Sequence, residues 1–203
     1  MTQDARLSFV LAINLGMVVA LVAVGLLAHS LGVLASAADY VGDAAGVALS
    51  LVALKLSRRT HRYPRATSLA ALVNASFLLL VTVVVTAEGI DRLVGGSPEV
   101  HGLPVLVVSV VAVGAMALCV GMLGPIEADE LHMRSVMLDT LADAAAAAGV
   151  AVSGAIILIA QGVYWLDATV ALVIALAVGY HALKLIVEVL QDLRKESGDA
   201  PAR

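Results

Sequence analysis

Apolar positions in this chain come in long unbroken runs, not in the one-sided or alternating patterns of a water-soluble domain. Six runs stand out, at 7–28, 33–56, 67–93, 103–123, 135–160 and 168–190. Each is long enough to cross about 30 Å of hydrocarbon as a helix of roughly 20 residues. Connections as short as "HSLG" and "GVYWLD" leave little chain outside a bilayer. Backbone polar groups in lipid need internal partners, so the ordered chain must be helical. The pattern predicts an all-α, polytopic membrane protein with six transmembrane helices, residues 1–203 forming a single transmembrane domain without a soluble C-terminal domain.

Composition agrees: 61% of residues are hydrophobic and 14% charged, with a mean hydropathy of +1.01. The "ASA" at Ala35 to Ala37 resembles a signal-peptide cleavage site. The apolar stretch before it is too long, and the leader "MTQDAR" has no net charge, so the first run is expected to stay in the mature protein.

Lys and Arg set the expected orientation. The segment "KLSRRTHRYPR" carries Lys55, Arg58, Arg59, Arg62 and Arg65; Arg6, Arg134, Lys184, Arg194, Lys195 and Arg203 fall on the same side of a six-span arrangement. Only Arg92 is left on the other face. Both termini are therefore expected in the cytoplasm. A net charge of -4 offers no basic surface for nucleic acid. Cys119 is the single cysteine, so there is no intrachain disulfide and any metal ligands must be oxygen or imidazole.

Against this apolar background, "DYVGD" and "DTLAD" put Asp39 with Asp43, and Asp139 with Asp143, four residues apart on the second and fifth runs. That spacing stacks each pair on one helical face. An ionisable group at mid-membrane costs from about 2.5 kcal/mol to more than about 10 kcal/mol depending on the method, so four are expected to share a polar cavity. Asp43 lies eleven residues before Leu54 and Asp143 eight after Ser135, so the two pairs reach similar depths on helices running in opposite directions. The segments "DYVGDAAGVAL" and "DTLADAAAAAG" are offset by one hundred residues, each on the middle helix of three. Two three-helix halves of inverted topology are expected, with the site between them. Clustered carboxylates hold protons in common, and a divalent cation bound by the same oxygens would displace them, which is the elementary step of antiport.

The quoted segments resemble the cation diffusion facilitator family, proton-coupled exporters of zinc and related divalent metals. "NLGMVVALVAVGLLAHSLGVLASAADYVGDAAGVALSLVALKLSRR" is similar to its first two helices, "HRYPRATSLAALVNASFLLL" to the start of the third, and "SVMLDTLADAAAAAGVAVS" with "YWLDATVAL" to the last two. The resemblance implies that Asp39, Asp43, Asp139 and Asp143 are the four ligands of the transport site. Zinc-moving members commonly carry His where Asp139 stands, and an all-oxygen set leans toward harder ions such as manganese or ferrous iron. Zinc is the favoured cargo, with manganese, iron, cobalt and cadmium as alternatives and no permanently bound cofactor. An accessory loop site of relatives keeps only His61 here, with Arg65 near the second His position. The chain resembles the short type lacking the C-terminal cytoplasmic domain, and a homodimer would have to form through the transmembrane helices.

Asn14 and Asn74 are candidates to line the pathway, against ordinary interhelical hydrogen bonding. His132, with Glu127, Asp129 and Glu130, is a candidate cation funnel or a solvated helix start. Asp167 precedes an apolar run and is expected to cap that helix, while Tyr164 and Trp165 suit the outer aromatic belt. His181, Lys184 and Glu188 read as a snorkelling, internally paired stripe. Glu88 and His101 are expected in solvent at the outer surface. Gly42, Gly46 and the run 144–149 read as small-residue faces for close helix packing. The competing readings are a metal-dependent membrane enzyme of the CDP-alcohol phosphotransferase type, whose Asp spacing and Ala-Arg are missing here, an intramembrane aspartyl protease, and a passive cation channel.

Overall fold

The computed structural model describes the backbone of residues 3–57, 64–123 and 130–198, and side chains over 8–49, 52, 68–69, 71–118 and 143–191. The described backbone forms six helices: α1 (Gln3–Leu27), α2 (Leu31–Ser57), α3 (Pro64–Gly95), α4 (Gly102–Leu123), α5 (Glu130–Ala160) and α6 (Trp165–Gly198). Each coincides with one of the apolar runs and extends it at one or both ends. At about 1.5 Å per residue, even the 22 residues of α4 span the hydrocarbon.

Local chemistry explains the boundaries. α1 stops because His29 turns left-handed, at φ 56°. The Ser30 amide then donates to the Gly25 carbonyl and the His29 amide to the Leu26 carbonyl, which together form a Schellman cap. Gly96, with φ 103°, follows the end of α3, and Gly162, with φ 95°, follows that of α5. Pro64 opens α3, where a missing N–H costs no hydrogen bond.

α1 packs on α2 and α4 on α5, the same pairing in each half, while α3 and α6 pair with each other. The halves are not equivalent: α2 also packs on α6, whereas α5 makes no comparable contact with α3 among the described residues. Small residues set the closest approaches. A Cβ on Gly102 would lie 2.6 Å from the Gly154 carbonyl oxygen, and one on Gly154 would lie 2.8 Å from the Leu106 nitrogen, so α4 and α5 cross backbone to backbone. Between α3 and α6, Gly89 and Gly179 instead leave room for the side chains of Leu172 and Thr82 to seat against the helix backbone. Gly42 lies close to Leu78 of α3, as expected of a small-residue face. At Gly46, which is exposed, no atom of the described residues lies within 4 Å of a Cβ built there.

The outer surface of the bundle is apolar. Val19, Leu26, Val73, Leu80, Val83, Val107, Val110, Val173 and Leu176 all face outward, as a lipid-facing surface requires. Among the described residues, four helical segments are long and apolar enough to cross a membrane (Ser8–Leu27, Ala71–Gly95, Asp143–Ala160 and Trp165–Gln191), with a shorter apolar stretch at Gly102–Leu118. Residues 31–40 at the start of α2 are buried nearly throughout and include several small side chains. A helix sheltered by its neighbours can be less apolar than one facing lipid.

Candidate metal centre

Asp39 and Asp43 lie on α2 and Asp143 on α5, all half-buried. α2 and α5 meet over a short stretch. That contact brings the carboxylates into electrostatic range: Asp39 experiences the charges of Asp143 and Asp43, and Asp43 that of Asp143. Among the described residues no cation acts on Asp39 or Asp43. The described cations are Arg92, bonded to Glu88 at 2.9 Å, and Lys184, 3.9 Å from Glu188 on its own helix. The latter contact is the internal pairing expected of the α6 stripe. The three carboxylates are neighbours without being a tight group: no three His, Cys, Asp or Glu side chains among the described residues stand close enough to hold an ion together. The side chains of Asp139 and His132 lie outside the described residues, as do those of Cys119, Glu127, Asp129, Glu130, His61 and the basic residues of the α2–α3 connection.

Above this segment, α2 is held by polar contacts that the sequence did not announce. The Tyr40 hydroxyl donates to the Ala112 carbonyl of α4 at 2.6 Å. Ser36, about one turn before Asp39 on α2, has a buried hydroxyl with no hydrogen-bond partner among the described residues. Asn14 is buried on α1 and Asn74 half-buried on α3.

Asp167 departs from expectation. α6 begins at Trp165, so Asp167 lies inside the first turn and does not precede it. Its carboxylate turns away from α6 and caps α2: it accepts from the Ser30 hydroxyl at 2.6 Å, from the Leu31 amide at 2.6 Å and from the Gly32 amide at 3.3 Å. Ser30 in turn accepts from the Val33 amide at 3.1 Å. The first helical amides of α2 are thereby all satisfied inside the bundle, where water does not supply an acceptor. The negative charge also meets the positive end of the α2 dipole. At 1% exposure Asp167 is among the most buried side chains described. Sequence reading had the capping role right and the helix wrong, because a cap 137 residues away in sequence leaves no local signal. Arg92 strengthens the same junction by donating to the His29 carbonyl at 2.7 Å.

The family of cation efflux transmembrane domains matches residues 7–194. This chain belongs to the cation efflux family. Membership places it among multi-pass membrane transporters and leaves the membrane-enzyme alternatives without support. The zinc transporter ZitB of Pectobacterium atrosepticum is 31% identical over 198 residues, which cover 94% of this chain and 61% of that protein. ZitB of Yersinia pestis is 30% identical over 177 residues, covering 83% of this chain and 56% of the relative. The cadmium, cobalt and zinc/H(+)-K(+) antiporter of Bacillus velezensis is 28% identical over 179 residues, with the same coverage of 83% and 56%. This cation efflux chain thus spans a little over half the length of the relatives it matches.

Proposed function

We propose that this protein exports divalent metal ions from the cytoplasm in exchange for protons, through carboxylates that α2 and α5 contribute at mid-bundle. The observation that carries the reading is the approach of Asp143 to Asp39 and Asp43, with no cation acting on those two among the described residues. Like charges held together in a low dielectric favour a shared counter-charge, and the available ones are protons or a metal ion. Asp139 precedes Asp143 by one helical turn and is the proposed fourth ligand. Exchange follows when the cavity opens alternately to each side.

Zinc is the favoured cargo, supported by relatives named for zinc and for cadmium, cobalt and zinc. The all-oxygen ligand set admits manganese and ferrous iron as well. Asn14, Asn74 and Ser36 would line the path and His132 its cytoplasmic mouth. Both termini would lie in the cytoplasm, on the side of the basic α2–α3 connection, and a homodimer would meet through helices.

Proteoliposomes carrying a pH-sensitive dye test the proposal. Added zinc should drive proton movement in the wild type, and Asp43→Ala and Asp143→Ala should both abolish it. Flux that persists in both variants removes these residues from the mechanism, and zinc flux without proton movement makes the protein a channel.

A further inference from the structure

Two of the five histidines meet at the outer end of the bundle, away from the carboxylates. His29 lies in the α1–α2 turn and His101 immediately before α4, and their ring centroids are 6.1 Å apart with the planes tilted by 41°. Both side chains are exposed.

The main chain fixes the pair. The His101 amide donates to the carbonyl of Ala28, the residue next to His29, at 3.1 Å. On the other side, Arg92 holds the His29 carbonyl at 2.7 Å. His29 itself occupies a left-handed position, φ 56°, where Gly is the usual and least strained residue. His is among the non-glycine residues that take this conformation most readily, so the turn holds the imidazole at a fixed place beside His101.

We propose that His29 and His101 form a binding site for a borderline divalent transition-metal ion, of the zinc or cobalt class, on the outer face. With metal–nitrogen bonds of about 2.0–2.1 Å, two imidazoles sharing one tetrahedral ion have centroids roughly 5 Å apart. The pair needs about 1 Å of closure, which exposed side chains reach by torsion alone. Imidazole nitrogens select zinc, cobalt, nickel or copper over magnesium and calcium. Two protein ligands leave the remaining positions to water, so the ion binds weakly and exchanges.

The local charge favours a cation. Glu99 and His101 line one cavity of about 300 Å³ together with Gln161 and Tyr164. The nearby guanidinium of Arg92 is offset by Glu88. If the protein exports metal, this site lies where the ion leaves, yet its existence does not depend on transport.

The test is zinc chloride titrated into the purified full-length chain in lipid nanodiscs, with cobalt(II) absorption as a second readout. Asp43→Ala first removes the proposed mid-bundle site. In that background one weak zinc equivalent should remain, unaffected by excess magnesium. His29→Gly suits the left-handed turn and keeps the fold, and His101→Asn leaves the main chain untouched. Each should weaken the remaining equivalent by at least about tenfold and change the cobalt spectrum. Retention of that equivalent in either variant, or its absence in Asp43→Ala alone, overturns the proposal. Failure of the transport reading would appear elsewhere, as proton flux insensitive to Asp43→Ala.

Discussion

Asp167 and the pair Asp39 and Asp43 are carboxylates of the same bundle held in opposite ways. Asp167 accepts three separate donors at the start of α2 and is almost fully enclosed. Asp39 and Asp43, two to three turns further along the same helix, are half-buried and experience other carboxylates. Donors convert the first charge into a fastener. The others stand partly buried beside like charges, which is the basis for proposing them as cation ligands. One residue type thus serves as anchor at the start of α2 and as candidate binding group further along it, and the neighbours decide which.

The sharpest way to break that contrast is Asp43→Asn. Metal-driven proton movement should fall to background, at least about a hundredfold, while the thermal unfolding midpoint stays level or rises, because one like charge is removed. A midpoint that drops would make Asp43 a structural group like Asp167. Metal binding to the wild type should also weaken as pH falls. Protons and metal compete for the same oxygens, so the apparent Kd rises on acidification. An affinity that is flat with pH would separate these carboxylates from the ion.

Asp167→Ala should show the reverse pattern, losing on the order of 3 kcal/mol of stability, since it strands two helical amides and a hydroxyl in the bundle. A thermal shift in detergent measures this, and an unchanged midpoint would mean the α2 cap is replaced by water. Gly154→Ala should cost somewhat less, about 1–3 kcal/mol, by forcing α4 and α5 apart where their backbones touch. The smallest effect belongs to Ser30→Ala, about 1 kcal/mol, because the Asp167 contacts to Leu31 and Gly32 remain.

The helices were legible because a bilayer demands about 20 apolar residues in succession, and all six runs became helices. The paired aspartates were legible for the same reason, charges being conspicuous in such runs. The internal pairing of Lys184 and Glu188 was readable at helical spacing. What escaped were contacts between segments far apart in sequence. Ser36 looked like half of a cleavage-site motif and is instead a buried hydroxyl above Asp39. Arg92 counted only as the exception to a charge rule, and it ties α3 to the α1–α2 turn. His29 was a letter in a short connection until the fold set it beside His101.

The sequence by itself determined the solvent, the number and extent of the helices, and which positions carry charge within them, because these depend on composition and periodicity along one segment. Tertiary structure alone decided that the start of α2 is sheltered, that Asp167 serves α2 and not α6, that Gly42 is crowded and Gly46 exposed, and that two histidines face each other. Those outcomes depend on which helices become neighbours, and hydrophobicity in a bilayer drives insertion without selecting partners. Small residues and a few satisfied polar groups make that selection.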